Sequence, residues 1–532
     1  CAANGNGSMY FAASSDAAEA KWLVTKTSDG YVFQSAAHQT YMTSDAGLSS
    51  NAENISISDL NASVTDYSMK YDLSALNALD SLNGIQVISR LHTLGLSRSD
   101  LMNPEANMTS LNTNIQSALS GLPTQTVQYT GTDVDDLNQF LQNNTGKIVQ
   151  LTQDIQVYKN TNGSFGIIMV PSDTILDGTG HRLVMKAGYT EAPDVGVVLY
   201  VYKDGVIPST NCGVKNLSTD IPYVNSINVF SADNILIENN TLNNATKSGI
   251  MISDEYGSTV NGIIRGNTIN NVGDDAIAVY GNHSNLLIDS NRISGAKGFA
   301  GIAISCLQNG QQIRVDNETT GPHDIIVTGN VISGCSGEAL YCIGSYKTYI
   351  TYNTLRDSIL EGVCLDSGCI GNYFAHNEVV NNGIAGGLPG VSIDNGIYNI
   401  VDSNNIYNNS CSGIKLVRTG LGNIIVNNIC TDNAYNQMGA KSSGIDIEPL
   451  AVETENLGYI DGLGSNWNVV LNNTVTGSHD FGVFIADDDT ANNGGSSCEN
   501  VIMYNKFSSA YTFGAADFSS MSSTVKNNIT LN

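Results

Sequence analysis

The residues best placed to do chemistry are carboxylates that recur at one position of a repeated strand phrase. Asp366 follows Gly362-Val363-Cys364-Leu365 and Asp394 follows Gly390-Val391-Ser392-Ile393, so the two share a register. If the phrases are successive parallel strands, the side chains stack about 5 Å apart across one rung. Two carboxyls at that separation suit a retaining glycosidase, one acting as nucleophile and the other as acid/base, and like charges that close push one pKa upward. Glu448 holds the same register after Gly444, with Asp446, Lys415 and Arg418 near it. The same residues would equally make a solvated face in which Lys415 and Arg418 are counter-ions. A second acidic group is Asp274-Asp275, with Asp254 about one repeat earlier. Paired aspartates at a corner are also a common turn solution, which would leave both facing outward. No aromatic-rich loop stands out as a platform for sugars.

These side chains need a scaffold that repeats. Gly-apolar-x-apolar recurs at Gly249-Ile250-Met251-Ile252, Gly301-Ile302-Ala303-Ile304, Gly413-Ile414-Lys415-Leu416, Gly444-Ile445-Asp446-Ile447 and Gly482-Val483-Phe484-Ile485. A second phrase, Asn-x-apolar, carries Asn240, Asn267, Asn291, Asn330, Asn353, Asn377, Asn404, Asn427, Asn473, Asn505 and Asn527. Most of these lie about 22 to 27 positions apart, the size of one β-solenoid coil. Short alternating strands cannot bury their inner faces alone, and stacking coil on coil closes a continuous core. The Asn residues are expected at one corner, each bonded to its equivalents above and below. Residues 133–144 read as a short amphipathic helix capping the first coil, with Val149-Gln150-Leu151 as the first strand. Residues 58–79, 82–94 and 107–119 have helical spacing, after an extended arm over 1–18.

Over roughly residues 125–532 these phrases resemble the pectate-lyase-like right-handed β-helix superfamily. The resemblance implies a mainly β chain, a right-handed parallel β-helix (β-solenoid) over 126–532, with a small helical domain and arm over 1–125. Gly273-Asp274-Asp275-Ala276-Ile277-Ala278-Val279 resembles the paired aspartates of polygalacturonase-type glycoside hydrolases, with Asp254 as the third. Such a trio would protonate a glycosidic oxygen and activate a water. Where that family has a His one coil later and an Arg-x-Lys beyond it, this chain has Gly298-Phe299-Ala300 and Ile313-Arg314-Val315. The superfamily holds lyases, hydrolases, epimerases and structural proteins, so the fold alone names no activity.

The formal net charge of −27 excludes the basic footprint that nucleic-acid binding needs. No apolar run has the length of a membrane-spanning helix. No cofactor or metal is expected: the ten cysteines form no CxxC pair, the seven histidines form no cluster, and no phosphate loop or nucleophile elbow is present. Asn-x-Ser/Thr sequons recur from Asn54 to Asn528, which suits an exported, extracellular chain at the cell surface. Cys1 on a terminal arm, and Cys369 and Cys498 after turns, are candidates for cross-linking neighbours through intermolecular disulfides. The C-terminal repeat phrase lacks a capping helix, and an open last rung is a template for a second copy. The sequence therefore reads first as a self-assembling structural protein resembling the subunits of a cell-surface sheath or layer, such as an archaeal one. A carbohydrate-active enzyme is the alternative, with insertions around 306–322 and 448–465 walling an acidic groove.

Overall fold

Stacked parallel strands need a repeating inner face, and columns of branched aliphatic residues supply one. Ile227, Ile250, Ile277, Ile302, Leu340, Val363, Val391, Ile414, Ile445 and Val483 are register partners in turn. All are fully buried. The computed structural model that shows this describes the N-terminal region as six strands and the chain from Leu101 onward. The exceptions after Leu101 are residues 102, 160–165, 203–204, 309–310, 313–320, 419, 435–442, 450–463, 487–496, 498–499, 509–510, 512, 520–522 and 532.

Three parallel sheets run the length of the solenoid, with 13, 15 and 14 strands. We call them sheets I, II and III. One coil passes through Asn225–Phe230 in sheet I, Asp233–Glu238 in sheet II and Thr241–Asn243 in sheet III before Ile250–Ser253 returns to sheet I. From Gln125 onward the chain is a right-handed parallel β-helix, as the resemblance implies. Its first strand is Gln125–Tyr129, which pairs in parallel with Lys147–Leu151, one strand ahead of the start read from the sequence.

Helix α1 (Pro104–Ala118) crosses the outer face of sheet II, burying Leu111 and Ile115, and Tyr373 donates its hydroxyl to Glu105 at 3.1 Å. Helix α1 falls in the same compact unit as the solenoid, Gly84–Asn532, whereas the sequence reading placed a boundary at 125/126. Helix α2 (Val134–Asn143) follows Asp133, whose carboxylate accepts from the Asp135 amide at 2.9 Å as an N-cap. Its apolar face, Val134, Leu137 and Leu141, joins the solenoid core. The separate unit, Cys1–Asn83, contains an antiparallel sheet of Trp22–Lys26, Tyr31–Ser35, Tyr41–Met42 and Leu48–Ser49, which helical periodicity did not suggest. The helices expected over 58–79 and 82–94 lie outside the described residues, as does most of the arm over 1–18.

The corner between sheets II and III carries the expected Asn column. Asn330 Nδ2 donates to Asn353 Oδ1 at 2.9 Å and Asn353 Nδ2 to Asn377 Oδ1 at 3.0 Å, and each Oδ1 also accepts the preceding Asn backbone amide. Two members shift by one residue. The bonded column runs through Asn428 and Asn528, while Asn427 and Asn527 take left-handed φ of 59° and 57°. In each Asn-Asn pair the first residue turns the chain and the second joins the column. Two further columns occupy the other corners, through Asn372, Asn399, Asn423, Asn468 and Asn500, and through Asn382, Asn409 and Asn433.

Eight cysteines lie among the described residues, and all but Cys411 are buried. Cys369 is fully buried, and burial pushes its thiol up to about 12, so it is not the accessible cross-linker that its turn position suggested. Cys1 and Cys498 lie outside the described residues. No described helix is long and apolar enough to cross a membrane.

Candidate active site on the outer face of sheet I

Alternation decides which side chains face out. In Val363–Asp366 and Val391–Asp394, Leu365 and Ile393 point into the core, so Asp366 and Asp394 project from the outer face. They are direct register partners on adjacent rungs, as the shared phrase implies, and rungs of a sheet lie about 4.8 Å apart. Asp366 accepts hydrogen bonds from the Tyr341 hydroxyl at 2.8 Å and from Ser367 at 2.7 Å. Burial and the charge of Asp366 push Asp394 up to about 7, against the opposing pull of Arg418, whose Nη1 lies 3.1 Å away, and of Lys415.

The acidic surface continues along the same face. Lys415 is in register with Ser392 on one side and Asp446 on the other, and its ammonium pairs with Glu448 at 2.8 Å. Asp446 is buried; burial and then the Glu448 charge hold its carboxyl well above the usual range, with Lys415 pulling the other way. Glu338 and Glu361, in the turns that enter two of these strands, are buried acids that the sequence reading passed over. Burial pushes Glu361 up to about 7 and raises Glu338, and the neighbouring acids add to both. Their signal was the position two residues before the strand, which is also that of Asp275.

Asp275 departs from the turn expectation. It is fully buried, accepting from the Tyr280 hydroxyl and from the Ala300 amide at 2.8 Å, and burial pushes it up to about 7 despite those bonds. Asp274 is half-buried beside it. Asp254 follows its strand, in register with Gly281, and accepts from the Asn282 amide at 3.1 Å. Asp254 thus stands past the C-terminal ends of the strands, whereas Asp274 and Asp275 precede the N-terminal ends. The coil after Asp275 presents Phe299 and Ala300 where the resemblance would place a His, and Arg314 lies outside the described residues.

Aromatic side chains gather in two clusters elsewhere on the same sheet, on strands and turns of different coils. Phe230, Ser253, Tyr280, Ser305, Ile343, Asp366 and Asp394 form one register column. At its start Phe230 stacks on Tyr200 with ring centroids 5.1 Å apart and touches Tyr256, which is 51% exposed. In the neighbouring column of Ser392, Lys415 and Asp446, Phe484 is the next register partner and packs with Phe481 and Phe518. Single phrases hid these clusters because their members lie on different coils. The long connections from sheet I to sheet II, residues 306–322, 448–468 and 486–500, all leave the strand end that carries Asp366 and Asp394.

Residues 199–320 match the family described as "Right handed beta helix region". Among solved structures, the A-module of a mannuronan C-5 epimerase from Azotobacter vinelandii is 14% identical, covering 76% of this chain and all of that one, with a TM-score of 0.42. A tailspike protein of an E. coli bacteriophage is 15% identical over 74% of each chain, with a TM-score of 0.45. The catalytic domain of an α-1,3-glucanase is 12% identical, covering 77% of this chain and 68% of that domain, with a TM-score of 0.43. A search of curated protein sequences finds no relative.

Proposed function

We propose that the outer face of sheet I cleaves a neutral polysaccharide by retaining glycoside hydrolysis, with Asp394 as general acid and Asp366 as nucleophile. The register pairing of Asp366 with Asp394 carries this reading: it sets two carboxyls one rung apart, the spacing of a retaining pair, in unlike surroundings. Asp394, pushed up to about 7, holds a proton near neutrality for the leaving oxygen. Asp366 keeps both oxygens as acceptors, oriented by Tyr341 and Ser367. After the glycosyl-enzyme forms, Asp394 takes the proton of the attacking water.

A neutral chain suits the field of the face. Lys415 and Arg418, the cations beside the pair, are both already paired with carboxylates, so neither is left to take the charges of a polyanion. At one end of the column that carries the pair, Phe230 and the exposed Tyr256 offer an apolar surface. Secretion to an extracellular polymer belongs to the same proposal and is supported by the sequons and the acidic composition. Self-assembly into a surface layer has less support, since Cys369, one of its three candidate thiols, is buried.

The test is a reducing-end assay on neutral glucans, mannans, galactans and xylans, followed by NMR of the first-formed anomer. Cleavage with retention, reduced about 10²–10⁴-fold by Asp394→Asn and by Asp366→Asn, is expected. Absence of cleavage across the panel, inversion, or activity indifferent to both substitutions overturns the proposal.

A further inference from the structure

The outer face of sheet III carries an open cavity of about 480 Å³, within the range of about 300–1,000 Å³ that small-ligand sites occupy. In Thr354–Arg356, Glu378–Val380 and Asn405–Tyr407 the middle residues Leu355, Val379 and Ile406 are fully buried, so the first and third project outward. Thr354, Arg356, Glu378, Val380 and Tyr407 line the cavity from these three adjacent rungs. The Tyr407 hydroxyl donates to Glu378 Oε1 at 2.6 Å and the Thr354 hydroxyl to Oε2 at 3.5 Å. The Arg356 side chain is 49% exposed and lies 3.5 Å from Asp357.

Two stacked rings stand at the rim. Tyr352 and His376 turn the chain two residues before Thr354 and Glu378, so the rungs that carry the rings also line the cavity. The ring centroids are 5.0 Å apart and the planes 13° from parallel. Tyr352 is 62% exposed, and His376 is exposed beside it. Both hold φ of 57°, a left-handed conformation that bulky side chains rarely take. At the same corner Ser290, Gly329, Ser403 and Asn427 are the ordinary small turn formers. Gly329, on the rung before Tyr352, has no side chain to cover that side of the ring. Such backbone outliers gather at ligand sites, where they position a side chain that a relaxed turn would not.

We propose that this corner and cavity form a glycan-binding site separate from the acids of sheet I, with one neutral glycosyl ring stacked on Tyr352 and the next seated in the cavity. The C–H face of a sugar packs on an exposed aromatic ring, and two residues of strand span about 7 Å, which adjacent glycosyl units bridge. Sugar hydroxyls both donate and accept. Glu378 keeps acceptor capacity beyond its bonds to Tyr407 and Thr354, and the Arg356 guanidinium has donors to spare beyond Asp357. Asp357 and Glu378 offset the charge of Arg356, so the cavity has no surplus of cations for an anionic ligand. No residue of this site lies on sheet I, so glycan binding here is independent of cleavage there.

The test uses the full chain carrying Asp394→Asn, so that no ligand is consumed, titrated with gluco-, manno-, galacto- and xylo-hexasaccharides. Binding is followed at the imidazole NMR signal of His376, one of seven histidines, assigned by its loss in His376→Asn. At least one hexasaccharide is expected to shift that signal saturably. Adding Tyr352→Asn, a residue suited to the left-handed turn, should weaken this binding about tenfold or more while the melting temperature holds or rises. Arg356→Ala, on the exposed side of the cavity, should weaken it comparably. A His376 signal that no hexasaccharide moves overturns the site, as does affinity unchanged in both variants. The cleavage reading is then still decided by its own reducing-end assay. A lower melting temperature in Tyr352→Asn with affinity unchanged makes the rings structural and overturns the site. A dimer seen by sedimentation that Tyr352→Asn dissociates, again with sugar affinity unchanged, overturns it in favour of contact with a second copy.

Discussion

Arg418 Nη1 lies 3.1 Å from Oδ1 of Asp394, yet Asp394 still titrates near 7, because burial and the charge of Asp366 outweigh the ion pair. The guanidinium therefore trims a pKa that would otherwise sit higher. Arg418→Met is expected to raise the Asp394 pKa. A general acid must be protonated to work, so activity falls as pH rises through that pKa, and the variant's alkaline limb should move to higher pH. The pH dependence of kcat/KM measures this, and an unmoved limb would mean that Asp394 is not the acid.

Stability should fall with rising pH across the acid-to-neutral range. Asp275, Glu361 and Asp394 have folded-state pKa values near 7, above the ordinary carboxyl values that they regain on unfolding. Below about pH 4 both states are protonated and nothing is lost. Between there and pH 7 the unfolded chain releases protons that the folded chain keeps, so unfolding becomes easier. The melting temperature should be higher at pH 5 than at pH 8. Asp275→Asn should narrow that gap, by about 1–3 kcal/mol at pH 8, and leave stability at pH 4 little changed.

Neighbouring asparagines should respond oppositely to one substitution. Asn427 has φ 59°, a conformation glycine adopts freely, and its side chain bonds Asp402 and Asn472 on the outer side. Asn428 is buried, donates to Val401 O and Asn473 Oδ1, and accepts from Asn404. Asn427→Gly is expected to cost less than about 1 kcal/mol. Asn428→Gly strands several buried groups and should cost about 3 kcal/mol or more. Denaturant unfolding of the two variants compares them directly, and equal losses would contradict this register.

Cys369 should resist alkylation in the native chain. It is buried and its thiol is raised to about 12, so almost no thiolate forms at pH 8. Iodoacetamide labelling followed by peptide mapping should find Cys369 unmodified until denaturant is added. Rapid native labelling would reopen its role as a cross-linker.

The solenoid was legible because it rests on local rules repeated many times. Apolar alternation marks the strands, and Asn or Gly marks the turns, so the spacing alone gave parallel stacking and paired Asp366 with Asp394. The Asn column was legible to within one residue. Asn427-Asn428 offers two identical side chains, and only packing of the coil selects which enters the core.

Other features depended on contacts between coils, which no local pattern encodes. Asp275 looked like a solvated turn residue until Tyr280 and the Ala300 amide enclosed it. Glu338 and Glu361 carried no motif, and their chemistry comes from desolvation and from acids on neighbouring rungs. The two aromatic clusters unite Tyr200 with Phe230 and Phe484 with Phe518, residues of different coils. By itself the sequence determined the repeat, the inward face and the register of the outward acids, because these follow from chain periodicity. The tertiary structure decided which acids are dry and which side chains surround them, because burial and charge proximity are properties of the stacked coils.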